Sequence, residues 1–269
     1  MALMATALRL PARYPLQSAK AQIPLIVLGM AMMTLLSAGV FWALLGGSAL
    51  LCLLIGAIVA PTDPVLSTTI VSGEVAEKLI PARLRHLISG ESGANDGFAF
   101  PYVMLPALFL TGSEAVWSEW LWRVVLYESV FAILAGVALG SAARAAVKRA
   151  RRAELMTSKT LLSYNIALAF VTLTLLELLG CNGIIGVFAA GLAYNFKISR
   201  DPEEEEECVQ EMMERIFLMP VFLFFGIVIP WDKIAELGWK AWAIAALAIA
   251  YLYTATRYEA YVEFIYFRF

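Results

Sequence analysis

Two stretches limit what this chain can become: Ala60-Pro61-Thr62-Asp63-Pro64-Val65 and, one loop later, Gly90-Glu91-Ser92-Gly93-Ala94-Asn95-Asp96-Gly97. Each lies inside an apolar segment long enough to sit in a bilayer. Each sets carboxylates beside prolines or glycines where hydrocarbon should be. An ionisable group at membrane depth is costly, and by default it marks a functional site. Helix breakers there free backbone amides and carbonyls, which is tolerated only where they line a cavity or find protein partners.

Composition supports the same class. Of 269 residues, 61% are hydrophobic and 16% charged, with a mean hydropathy of +0.76. A soluble domain carries about a quarter charged residues. The chain therefore reads as all-α, a polytopic transmembrane helical bundle of about eight spans. The expected spans are about Gln22 to Leu45, Ser48 to Ser72, His86 to Leu110, Leu121 to Ala143, Thr160 to Leu179, Asn182 to Tyr194, Arg215 to Trp231 and Leu237 to Thr256. Pro61 and Pro64 interrupt the second, giving one discontinuous helix. Pro101 and Pro106 lie in the third, and the tight turn Gly180-Cys181-Asn182-Gly183 joins the fifth and sixth. The start, Met1 to Arg9, lacks the basic head and small-x-small cleavage site of a signal peptide, and reads as the tail of a helix whose beginning is missing. Cys52, Cys181 and Cys208 are scattered and His86 is the single histidine, so neither a disulfide framework nor a zinc site is supported. The cysteines are expected to pack as small hydrophobes.

Alternating the spans puts Lys78, Arg83 and Arg85, the basic loop Arg144 to Lys159, and Lys197 and Arg200 on one side with the N-terminus. The other side receives little beyond Arg123, Lys233 and Lys240. That bias makes the basic face, and the N-terminus, cytoplasmic. The acidic run Glu203 to Glu207 falls there too and reads as a solvated loop rather than an ion sensor. Glu128 and Glu177 are lone acids near span ends, expected to snorkel or to be paired.

On a helix through the third span, Ser92 and Asp96 share one face and Glu91 and Asn95 a neighbouring one. The first face offers a hydroxyl and a carboxylate, oxygen ligands suited to a hard monovalent cation. The second offers a carboxylate and an amide, suited to a structural hydrogen-bonded pair. Carbonyls freed near Thr62 could complete a coordination shell, and helix N-termini nearby would favour the Asp63 carboxylate. Asp96 is then the natural carrier. Burial favours its neutral form and a bound cation its charged form, so proton and cation compete for one group. Such competition is enough for exchange transport.

These two motifs, with the loop Lys78-Leu79-Ile80-Pro81-Ala82-Arg83-Leu84-Arg85 between them, resemble the signature segments of monovalent cation/proton antiporters of the sodium/hydrogen exchanger (NhaP/NHE) branch. The resemblance runs from about Leu8 to Ala250. It implies that Asp96 carries cation and proton, that Ser92 and the Thr62 carbonyl are further ligands, and that Asn95 is the amide of the Asn-Asp pair of a branch whose members are usually electroneutral. Asp63 would neutralise helix ends. Glu91 would pair with an arginine of a late helix. Arg257 is the candidate, since topology puts both at similar depth, and Arg215 is the runner-up. The family's inverted-repeat fold crosses two broken helices, and only the Pro61/Pro64 one is recognisable here. After Arg257 the chain continues Tyr258-Glu259-Ala260-Tyr261 instead of an apolar, glycine-rich segment. An incomplete antiporter is therefore expected: residues 22–111 as core helices with the ion site, 121–231 as dimer-interface and linker helices, 237–257 as a core helix.

The resemblance also implies a multi-pass protein of the cell (inner) membrane, a homodimer at full length. Its partners would be lipid, Na+ (or K+ or Li+) and protons, with no cofactor, no nucleic acid and no enzymatic activity. Two rivals stay open at this stage. One is a membrane segment without transport activity. The other is an intramembrane aspartyl protease, although Thr62 precedes Asp63 and Asn95 precedes Asp96 where such enzymes carry Tyr-Asp and Gly-x-Gly-Asp.

Overall fold

A computed structural model describes residues 2–11, 14–62, 71, 74–153, 158–195, 220–221, 223–236 and 238–247, and no strand occurs among them. Helix α1 is Ala2–Arg9. Helix α2 runs through Tyr14–Pro24, a π-helical turn Leu25–Gly29 and Met30–Leu45. Helix α3 is Ala49–Val59, α4 is Glu74–Leu79 and α5 is Ala82–Leu110. Helix α6 joins Val116–Glu119, a π-helical stretch Trp120–Phe131 and Ala132–Arg152. Then come α7 (Ser158–Leu178), α8 (Gly183–Asn195) and α9 (Trp231–Glu236). Residues 223–228 and 239–247 are also helical.

The all-α class holds. Two rods, Gln17–Leu45 and Val116–Arg152, are long and apolar enough to cross a membrane, and Ala49–Val59, Ser163–Leu178 and Gly183–Asn195 are shorter apolar helices. Helix α5 has the length, 29 residues, but its first half carries Arg83, Arg85, Glu91 and Asp96.

Several boundaries differ from the sequence reading. The basic run after the fourth span is not a loop up to Arg152, because α6 continues through Arg144, Lys148, Arg149 and Arg151. Ala, Lys and Arg are strong helix formers, and basic groups in a last turn face the negative end of the helix dipole. Helix α5 starts at Ala82, next to Pro81, rather than near His86. The expected seventh span stops its described helix at Val228, before Pro230. Pro101 and Pro106 sit inside α5 without ending it. Pro61 follows the last residues of α3, and the chain there is not helical. Gly180, at φ 69°, turns the chain out of α7, a left-handed conformation that suits glycine.

Helices α5 and α8 form the centre. Helix α5 packs against α1, α2, α3, α6 and α8, and α8 packs against α1, α5, α6 and α7. Close approach of α8 rests on small residues. Gly136 and Gly140 of α6 face the backbone of Gly186 and Ala190, where a Cβ would overlap the opposing carbonyls. This four-residue spacing of small residues lets helices pack where lipid supplies no hydrophobic drive. The main core clusters join the same helices: Met4, Leu8, Val147 and Val187 in one, and Ala7, Met30, Ala94 and Phe188 in another. Two polar side chains close helix ends. The buried Asn195 amide donates to the carbonyls of Ala7, Leu8 and Leu10 at 3.3, 3.0 and 2.6 Å, terminating α1. The Lys240 ammonium donates to the Leu45 carbonyl at 3.1 Å, terminating α2.

Candidate functional site

The site is a hydrogen-bonded knot between the end of α3 and the middle of α5. Helix α3 ends at Val59, and the non-helical Ala60-Pro61-Thr62 brings Thr62 against α5. The Thr62 hydroxyl donates to Glu91 Oε2 at 3.2 Å. Asn95 Nδ2 donates to Thr62 Oγ1 at 2.6 Å and to Glu91 Oε1 at 3.0 Å. An amide has two hydrogens and a hydroxyl one, so every proton in this triangle has its own acceptor. Both Glu91 oxygens are engaged. The four-residue spacing of Glu91 and Asn95 is what lets them meet on one helix face.

A fourth bond fixes the Thr62 backbone: Ser92 Oγ donates to its carbonyl at 3.3 Å. Ser92 and Asn95 are wholly inaccessible to solvent, while Asp96, one turn beyond Ser92, is half-buried. Asn95 Oδ1 is a buried acceptor with no hydrogen-bond partner among the described residues. Ser92 Oγ, the Thr62 carbonyl and the Asp96 carboxylate are all oxygen donors, the chemistry a hard monovalent cation requires.

The expected residues thus divide. Thr62, Glu91, Ser92 and Asn95 come together through the bonds above. Asp63, Arg257 and Arg215 lie outside the described residues, as does the Glu203 to Glu207 run.

Across its length the chain matches known transporters. The family described as "Sodium/hydrogen exchanger, transmembrane" matches residues 1–261. The chain belongs to the sodium/hydrogen exchanger family. That is a family of membrane transporters rather than enzymes, which sets aside the aspartyl protease reading. An Na+/H+ antiporter of Saccharomyces cerevisiae is 30% identical over 261 residues, covering 93% of this chain and 26% of the antiporter. A probable Na+/H+ antiporter of Schizosaccharomyces pombe is 27% identical, over 90% of this chain and 33% of its own length. A second one from that organism is 28% identical, over 91% of this chain and 53% of its own length. This exchanger chain therefore spans between about a quarter and about half of the curated relatives it matches.

Two further features around this candidate site were not legible in the sequence. Gly93 and Gly97 form a slot for α8. A Cβ on Gly93 would strike the Phe188 ring, and one on Gly97 would lie 2.5 Å from Ile185 Cβ. Glycines one turn apart are the signal in the sequence, and they mark close helix packing here rather than a break in α5. Asn182 reaches from the α7–α8 turn to the Gly97 carbonyl. Glu128, 7% exposed, accepts from Arg123 Nε at 3.0 Å through Oε1. It is the paired acid that the sequence allowed. Glu177 is exposed and accepts from the Gly183 amide at 3.3 Å. Cys52 and Cys181 are free and buried, as small hydrophobes are.

Proposed function

We propose that this chain supplies the cation-binding half of a secondary antiporter that exchanges a monovalent cation for a proton at Asp96. The observation that carries the reading is the knot of Thr62, Glu91, Ser92 and Asn95 beside Asp96, where the end of α3 meets α5. Family membership supports it, as do relatives named as Na+/H+ antiporters.

The division of labour follows from the bonds. Glu91 receives two donors and orients Thr62 and Asn95. The Thr62 carbonyl accepts from Ser92 through one of its two lone pairs, and a carbonyl oxygen can accept from a donor and face a cation at once. Ser92 Oγ donates its proton to that carbonyl and is itself an oxygen of the type a hard cation takes. Asp96, one turn away, supplies the charge. Protonated, it no longer attracts the cation; ionised, it does. One carboxylate shared by two monocations releases one when it takes the other, so the exchange is electroneutral. Na+, K+ or Li+ and H+ are substrates, and no resident cofactor is needed. The full-length protein is a multi-pass protein of the cell membrane with the basic face cytoplasmic, and a homodimer built on residues 121–231.

The test is exchange in proteoliposomes holding the full-length protein that contains this chain. With an acidic lumen, adding Na+, K+ or Li+ outside should collapse the pH gradient, at a rate unchanged by clamping the membrane potential. A gradient untouched by all three cations would remove the antiporter reading. Dependence on potential would remove electroneutrality alone.

A further inference from the structure

The proline inside the site helix poses a question the knot does not answer. In a regular helix the Gly97 carbonyl would accept from the amide of residue 101. That residue is Pro101, which has no N–H, so the Gly97 carbonyl is an orphan one residue beyond Asp96. A buried carbonyl left without a donor costs about 1–3 kcal/mol. A donor comes from 85 residues away in sequence: Asn182 Nδ2 donates to Gly97 O at 2.9 Å.

Asn182 is unusually fixed. It is 7% exposed, and its Oδ1 accepts from the amides of Ile184 and Ile185 at 3.1 and 3.3 Å, capping the N-terminus of α8. Its own amide donates to the Glu128 carbonyl of α6 at 2.8 Å. Turning its side-chain amide over would set NH2 against two N–H donors and oxygen against a carbonyl, so this network admits one orientation. Ile185, three residues on, fills the slot that the missing Gly97 side chain leaves. The turn of α5 that carries Asp96 is thereby bound through one residue to α8, by the Asn182 side chain, and to α6, by its backbone N–H.

We infer that Asn182 is a positioning residue for cation exchange: its amide replaces the hydrogen bond that Pro101 removes and so sets the placement of the Asp96 turn. The inference rests on Asp96 being the carrier. An Asp96 turn freed from this bond shifts relative to Ser92 and Thr62, so the ligands converge less well and cation affinity falls. Asn182 is not itself a ligand, because both ends of its amide are occupied.

The geometry also gives a specific rescue. Asn182→Asp keeps the oxygen that caps α8 but has no proton for Gly97 O. Pro101→Ala restores a backbone N–H for that same carbonyl. In proteoliposomes with the full-length protein, N182D should raise the apparent KM for Na+ about fivefold, the worth of one hydrogen bond. Turnover per transporter should change less than about twofold. N182D/P101A should return KM to within about twofold of wild type, a coupling that independent sites do not show. A wild-type KM in N182D overturns the inference, and so does an N182D/P101A double variant no better than N182D. If N182D does not accumulate, the double variant decides: recovered exchange supports the positioning role, and its failure overturns it. An active D96N control would instead bring down the carrier assignment, leaving the two failures distinguishable.

Discussion

Helices α2 and α5 are both long rods, yet they are built on opposite principles. Helix α2 turns large apolar residues outward: Leu28, Leu35, Leu36 and Trp42 are all at least 60% exposed. Helix α5 turns polar and small residues inward, burying Ser89, Gly90, Ser92, Gly93, Ala94, Asn95 and Gly97. A soluble protein would do the reverse. In lipid, the outer face needs only to be apolar, and the interior is held by close packing and hydrogen bonds. A change on α2's outer face should therefore be cheap, and one along the inward face of α5 or its neighbour α8 should not.

The largest effect is expected where backbones touch. Gly140→Leu would drive a side chain into the Ala190 carbonyl of α8. Overpacking costs 1–3 kcal/mol even when neighbours can yield. Backbone cannot, so the cost should be about 3 kcal/mol or more. Membrane levels and the melting temperature in detergent should collapse. Glu91→Ala comes next, since it strips acceptors from both Thr62 and Asn95. A loss of about 1–3 kcal/mol in stability is expected, with folding yield lowered more than ion selectivity changed. A stable Glu91→Ala protein with altered selectivity would make Glu91 a ligand instead. Leu35→Ala, on the outer face of α2, should shift stability by less than about 0.5 kcal/mol. A large loss there would show that this face is covered by protein.

Much of this was legible because hydropathy and side-chain chemistry are local. The helical class, the Glu91–Asn95 pair and the pairing of Glu128 could be reasoned from spacing and from the cost of charge in hydrocarbon. The basic end of α6 was misread because hydropathy marks where a chain leaves lipid, not where its helix ends. The π-helical stretches Leu25–Gly29 and Trp120–Phe131 break the 3.6-residue period without an obvious residue signal. Pro61 and Pro101 look alike in sequence, yet only the first lies outside helix. At Pro101 a partner takes the place of the missing amide. Asn182 repairs the bond lost at Pro101, and it stands far away in the chain, where no local pattern reports it.

In the proposed exchange one carboxylate, Asp96, carries both ions. The most direct measurement is cation-driven collapse of a pH gradient by Asp96→Asn in proteoliposomes, with protein level and melting temperature matched to wild type. The amide is nearly the same size but cannot bind or release a proton. Exchange with Na+, K+ and Li+ should fall to the protein-free background. Exchange that persists with any of the three would place the carrier elsewhere.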